Sequence, residues 1–134
     1  PGVLELLQEI HQCGLRLAVA TSGQERCLQF VLEKFSLQEL FEVTISANDV
    51  TESKPDPQIF LLAAQRLRVE PEDCVVIEDS INGVRAGKAA GMYTIAITTT
   101  FPGYELREAD RIISSFSELT AKDLRTLYLG PNIN

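Results

Sequence analysis

The sequence predicts an α/β fold with three layers, a mostly parallel sheet covered by helices on both faces. Three observations carry this expectation. Segments with helical and strand-like patterns alternate along the chain, and that order calls for parallel strands joined by helical crossovers. The candidate strands, such as Leu15-Arg-Leu-Ala-Val-Ala20 and Cys74-Val-Val-Ile77, are nearly continuous apolar runs, which suits strands buried on both faces. Residues able to do chemistry sit just after three of these runs, where open parallel sheets hold their ligands.

The elements follow in order. Val3, Leu4, Leu7 and Ile10 recur at helical spacing over Val3 to His11, and Gly14 ends that helix. Leu15 to Ala20 is the first strand. Ser22 and Glu25 match a capping box, and Cys27, Leu28, Val31, Leu32 and Phe35 continue a helix face. Phe41 to Ala47 reads as a second strand, and Asn48 to Pro57 as a polar loop. Asp56-Pro57 suits the start of a helix carrying Ile59, Phe60, Leu62, Ala63 and Leu67. After the turn at Pro71 come the strand Cys74 to Ile77 and a helix ending at Gly91. Tyr93 to Thr98 and a short Arg111 to Ser114 are the last strands. Thr120 with Asp123 caps a final helix through Leu129, and Gly130 to Asn134 read as a frayed tail.

The 134 residues fit a single domain, residues 1–134, with 45% hydrophobic and 23% charged residues. A net charge of −7 argues against nucleic acid or an anionic membrane surface as partner, since both reward clustered Lys and Arg. No apolar run approaches the roughly 20 residues of a membrane helix. The three cysteines are widely spaced and form no CxxC pair, so they are expected as buried or half-buried thiols in a reducing compartment, the cytoplasm. His11 is the only histidine and sits late in an amphipathic segment, which suits a surface or helix-end residue.

Three clusters remain. Thr21-Ser22-Gly23 follows the first strand, and its hydroxyl and amides suit an anion. Lys54 lies in the stiff stretch Ser53-Lys54-Pro55-Asp56-Pro57. Glu78 and Asp79 stand side by side at the exit of a buried strand, where they repel each other unless a cation or proton is shared. Their hard oxygens suit Mg²⁺, which commonly takes one or two carboxylates with phosphate oxygens and water. Each cluster alone has a plain structural reading as a cap, a solvated lysine or a helix start. Converging on one sheet edge, hydroxyl, lysine and metal describe a phosphoryl-binding site.

These residues resemble the haloacid dehalogenase (HAD) superfamily, in the branch similar to β-phosphoglucomutase and phosphoglycolate phosphatase. Leu-Ala-Val-Ala-Thr21 looks like that family's second motif and Ser-Lys54-Pro-Asp-Pro like its third. The stretch from Val75 through Glu78-Asp79-Ser-Ile-Asn-Gly-Val-Arg-Ala-Gly to Met92 looks like its fourth. The resemblance covers roughly Pro1 to Pro102 and implies a Rossmann-like, HAD-type core. It also implies that Thr21, with the Ser22 amide, binds the transferring phosphoryl group and that Lys54 neutralises charge on it. Asp79 and Glu78 would hold Mg²⁺. The substrate would be a small phosphorylated metabolite.

The family's first motif, Asp-x-Asp on the first strand, occurs nowhere in the sequence. The expected core therefore lacks its first strand, its nucleophile and the cap. That strand belongs between the one ending at Thr21 and the one ending at Ile77. Two strand edges would lose their partner, at roughly 1–3 kcal/mol for each buried unpaired group. The sequence predicts that the two strands pair directly, exchange strands in a dimer, or bind a missing N-terminal segment. Two functions follow: the C-terminal part of a Mg²⁺-dependent phosphatase working through an aspartyl-phosphate, with a phosphomutase as variant, or an inactive protein that recruits a partner strand.

Overall fold

The computed structural model describes residues 2–129, with side chains through Leu127; the expected frayed tail lies outside the described residues. The elements are α1 (Val3–Gln12), β1 (Ala18–Ala20), α2 (Glu25–Lys34), β2 (Val43–Ile45), α3 (Gln58–Leu67), β3 (Val75–Glu78), α4 (Ile81–Ala89), β4 (Tyr93–Ile97), β5 (Arg111–Ile113) and α5 (Ala121–Leu129). This is the predicted order. All pairings are parallel. The sheet is divided, however: β1 pairs only with β2, and β3, β4 and β5 form a separate sheet in that order. Of the three outcomes expected for the missing strand, direct pairing of its two neighbours does not occur.

Helices cover both faces. On one side Ile59, Phe60, Ala63 and Ala64 of α3 pack with Ile45, Val76, Ala86 and Met92. On the other, Leu6 and Ile10 of α1 pack with Ile95, Ile97, Ile113 and Leu124. Burial from Thr94 through Ile97 is unbroken, which is why β4 reads as a continuous apolar run. Strands β1 and β2 are each three residues long, against six and seven expected. A strand with a partner on only one side loses ladder bonds at its ends, so pairing is confined to the shared centre.

Local signals mostly agree with the sequence. Gly14 adopts φ +79° after α1, a left-handed conformation that glycine takes without strain. Thr120 and Asp123 exchange cap bonds, Asp123 N–H to Thr120 Oγ1 at 3.1 Å and Thr120 N–H to Asp123 Oδ2 at 3.0 Å. The Ser22–Glu25 capping box is absent. Gln24 is the N-cap of α2, and the Glu25 amide donates to Asn48 Oδ1 at 3.0 Å from the loop after β2. Only Leu28 and Leu32 of α2 are buried, while Val31 and Phe35 of its expected apolar face are exposed. Cys13 and Cys27 are exposed free thiols rather than buried ones, and Cys74 is half-buried, with burial pushing its thiol up. His11 is exposed in the last turn of α1, as expected. Among the described residues no helix is long and apolar enough to cross a membrane.

Arg85 and Lys88 are exposed on α4, and both form ion pairs: Arg85 with Glu108 at 3.4 Å and Lys88 with Asp110 at 2.8 Å. Asp110 also accepts the Thr94 amide at 2.8 Å, so one carboxylate ties α4 to β4. Burial opposes its ionisation, but the bonds from Lys88 and Thr94 outweigh that and hold its carboxyl below the usual range. A depressed carboxylate stabilises the fold fully above its unfolded-state pKa of about 4, and the gain is lost as pH falls through the folded value. Asp110→Asn is expected to cost about 1 kcal/mol at pH 7 and to shrink that difference as the pH drops below about 4. Urea unfolding of both proteins across pH 3–7 reads it; a constant difference would remove the assignment.

Candidate active site

Three strand ends meet. The Lys54 ammonium lies 2.6 Å from Glu78 Oε1 and 3.4 Å from the Ala20 carbonyl, so the loop before α3 bridges the ends of β3 and β1. It also sits 4.9 Å from the centre of the Phe60 ring. Both partners are nearly enclosed, with side-chain exposures of 8% for Lys54 and 12% for Glu78. The Lys54–Pro55 peptide is cis. The loop is anchored by Asp56, whose carboxylate accepts the Gln58 amide at 2.9 Å; α3 begins at Gln58, with Pro57 rather than Asp56 as its N-cap. Gln58 in turn accepts the Thr51 and Glu52 amides through Oε1.

Glu78 is fixed from two sides. Its second oxygen accepts the Ser80 hydroxyl at 3.1 Å, and Ser80 Oγ accepts the Gly83 amide at 2.9 Å as the N-cap of α4. Gly83 makes room for this carboxylate. A Cβ on it would fall inside the Glu78 carboxylate, so the glutamate folds back against the helix only because Gly83 has no side chain. A glycine a few residues after a buried-strand carboxylate is the sequence signal for this, and it is a weak one.

The neighbouring carboxylate behaves differently. Asp79 is exposed, and its Oδ2 accepts the Thr100 hydroxyl at 2.8 Å. The Thr98-Thr99-Thr100 stretch at the exit of β4 thus reaches the site through Thr100, and Thr99 lines a small cleft of about 250 Å³ beside Glu78 and Asp79. The two acidic residues do not share one partner. Lys54 supplies the positive charge for Glu78, and Asp79 turns outward.

Thr21 sits at the exit of β1, next to the carbonyl that Lys54 reaches. Its hydroxyl oxygen accepts the Gly23 amide at 3.0 Å, leaving the hydroxyl proton to donate. Ser22 is exposed, and its amide has no partner among the described residues, so it is a second free donor. The Gly23 carbonyl accepts the Ala47 amide at 2.9 Å, fastening this loop to the one after β2.

The donor set fits Mg²⁺ through Asp79, an exposed carboxylate with one oxygen free, a hard ligand of the kind this ion takes together with water and phosphate. Glu78 is a weaker donor as placed, because Lys54 and Ser80 occupy both of its oxygens. Among the described residues no three His, Cys, Asp or Glu side chains gather into a metal cluster. The arrangement offers hydroxyl and amide donors, an ammonium and an outward carboxylate around one open sheet edge, the parts that bind a phosphoryl group and its counter-ion.

A family model described as haloacid dehalogenase-like hydrolase matches residues 1–97. The chain belongs to this family. It is 40% identical over 128 residues to hexitol phosphatase B of Escherichia coli strain K12, covering 92% of this chain and 57% of that protein. Among solved structures it resembles CbbY from Rhodobacter sphaeroides in complex with phosphate, with a TM-score of 0.83 and 38% identity, covering 89% of this chain and 55% of the other. A β-phosphoglucomutase from Clostridium difficile shares the fold, with a TM-score of 0.85 at 24% identity, covering 96% of this chain and 55% of the other. This HAD-like chain therefore spans somewhat more than half the length of these relatives. The Rossmann-like HAD fold expected from the sequence is the observed one.

Proposed function

We propose that this HAD-like chain supplies the phosphate- and Mg²⁺-binding part of a phosphatase acting on small phosphorylated metabolites. The convergence of Thr21, Lys54 and Glu78-Asp79 on one sheet edge carries the reading. Thr21 Oγ and the Ser22 amide would hold the phosphoryl oxygens. Lys54 would balance their charge, and its bond to Glu78 fixes where that charge sits. Asp79, with Glu78 behind it, would hold Mg²⁺, which when bound neutralises phosphate charge. The nucleophile, an aspartate forming an aspartyl-phosphate, lies outside this sequence, so the chain alone is expected to release no phosphate. The exposed free thiols Cys13 and Cys27 suit a reducing compartment, and the cytoplasm is part of the proposal.

The test uses the polypeptide that continues ahead of Pro1 in its reading frame. Phosphate release from a panel of sugar and polyol phosphates is measured with Mg²⁺ and with EDTA. Asp79→Asn is expected to lower turnover on the order of a hundredfold or more, with EDTA abolishing it in the parent. Activity indifferent to EDTA or to Asp79→Asn would overturn the reading, as would a frame that opens at Pro1.

A further inference from the structure

Thr100 reaches Asp79 only because the chain turns back after β4. The register of β3 and β4 ends with Glu78 opposite Ala96. Continued straight, it would set Asp79 opposite Ile97 and carry Thr100 about 10 Å beyond, three residues at the rise of a strand. A turn at Thr98 and Thr99 returns the chain instead, and the Thr100 hydroxyl donates to Asp79 Oδ2 at 2.8 Å. Both flanks of Thr100 are anchored. The Thr98 amide donates to the Ile113 carbonyl at 2.9 Å, and Phe101 packs against Val84, Ala96 and Leu106. Thr100 is also β-branched, so its side chain has few rotamers to lose. The fold, rather than a freely turning side chain, sets where this hydroxyl lies.

This bond makes the two oxygens of Asp79 unlike. Glu78 is tied at both of its oxygens, by Lys54 and by Ser80. Asp79 is tied at one, and among the described residues its Oδ1 has no partner. The terminal torsion of a carboxylate is broad, so an exposed aspartate without such a bond turns freely. With the bond its rotation is restricted, and Oδ1 is the oxygen left to a ligand, beside the cleft of about 250 Å³ that Thr99 lines. Mg²⁺ demands near-ideal octahedral geometry, so a ligand oxygen already oriented binds it better than one that must first be ordered.

We infer that Thr100 is a positioning residue for the metal: its hydroxyl orients the Asp79 carboxylate and reserves Oδ1 as the oxygen that takes Mg²⁺. It acts through Asp79 rather than as a ligand. The inference rests on the Mg²⁺ role proposed for Asp79 and adds to it a residue from the exit of a different strand. A hydrogen bond between two exposed side chains has a modest net worth to the fold, so the effect of Thr100 falls on metal affinity rather than on folding.

The test uses the polypeptide that continues ahead of Pro1 in its reading frame, with Mn²⁺ alone as the probe and free Mn²⁺ read by electron paramagnetic resonance, which needs no turnover. Thr100→Val removes the hydroxyl and keeps the branch, and Thr100→Ser keeps the hydroxyl. Thr100→Val is expected to weaken Mn²⁺ binding about tenfold. The Mg²⁺ concentration for half-maximal phosphate release should rise by the same factor, with a smaller change in turnover at saturating Mg²⁺. Thr100→Ser should bring both to within about threefold of the parent. The urea midpoint in EDTA should be the same for Thr100→Val and the parent. Asp79→Asn separates the inference from the reading beneath it. If Asp79→Asn binds Mn²⁺ as the parent does, Asp79 is no ligand and both are overturned. If Asp79→Asn loses binding while Thr100→Val retains it, the role of Thr100 alone is overturned. Equal losses in Thr100→Val and Thr100→Ser would also overturn it, since the hydroxyl would then contribute nothing. So would a loss of binding that comes with a lower urea midpoint.

Discussion

Lys54→Met is expected to destabilise the fold by about 3 kcal/mol. The loss of the ammonium leaves Glu78 nearly enclosed, at 12% side-chain exposure, with its Oε1 unpaired. Removing one member of such a pair strands the other charge, and that penalty exceeds the net worth of the pair itself. Glu78→Gln alone should cost a similar amount, because it strands Lys54. The double variant should cost well under the sum, with a coupling of about 2 kcal/mol or more. Urea unfolding of the four proteins measures the cycle. Additive losses would mean the two side chains are solvated independently, and the bridge between strand ends would have to be abandoned.

Gly83→Ala comes next, with an expected cost of about 2–3 kcal/mol, far above the usual effect of alanine in a helix. Propensity alone would make alanine the better helix residue by nearly 1 kcal/mol. The sign reverses here because the new methyl occupies the space of the Glu78 carboxylate. Glu78 must then swing out, breaking its bonds to Lys54 and Ser80 together. The decisive comparison is made in the background of Glu78→Ala, where the obstacle is gone. There Gly83→Ala should be neutral or slightly stabilising. Equal destabilisation in both backgrounds would trace the effect to the helix backbone instead.

The fold was legible where local pattern and tertiary environment agree. β4 is buried on both faces by its own chain and reads as an apolar run, and the Thr120–Asp123 cap is made by neighbours three residues apart. Misreadings fall where a distant residue decides. Ser22 and Glu25 have the spacing of a capping box, yet Asn48, 23 residues further on, takes the Glu25 amide. The apolar face assigned to α2 overshoots because Val31 and Phe35 have nothing packed over them. β1 and β2 are shorter than they read because each pairs on one side only, which the sequence pattern does not reveal.

The site shows the same division. Thr21, Lys54, Glu78 and Asp79 were identifiable from their places at strand exits, since parallel strands end on one edge. How they divide the work was not. The resemblance gave Lys54 to the phosphoryl group and Glu78 to the metal; the fold adds a bond between the two across 24 residues. Thr100 reaches the site from the exit of β4, where its hydroxyl donates to Asp79. Gly83 left only a weak signal because its contribution is the absence of atoms.

Lys54 touches both walls of the divided sheet, Ala20 on one and Glu78 on the other. Its ammonium is thus a common element in two equilibria, the closure of these two strand ends and the binding of an anion at the proposed site. Thermodynamic linkage then requires symmetry. Whatever factor an anion drawing on Lys54 applies to the closure of the strand ends, that closure must apply to the affinity for the anion, with the same sign.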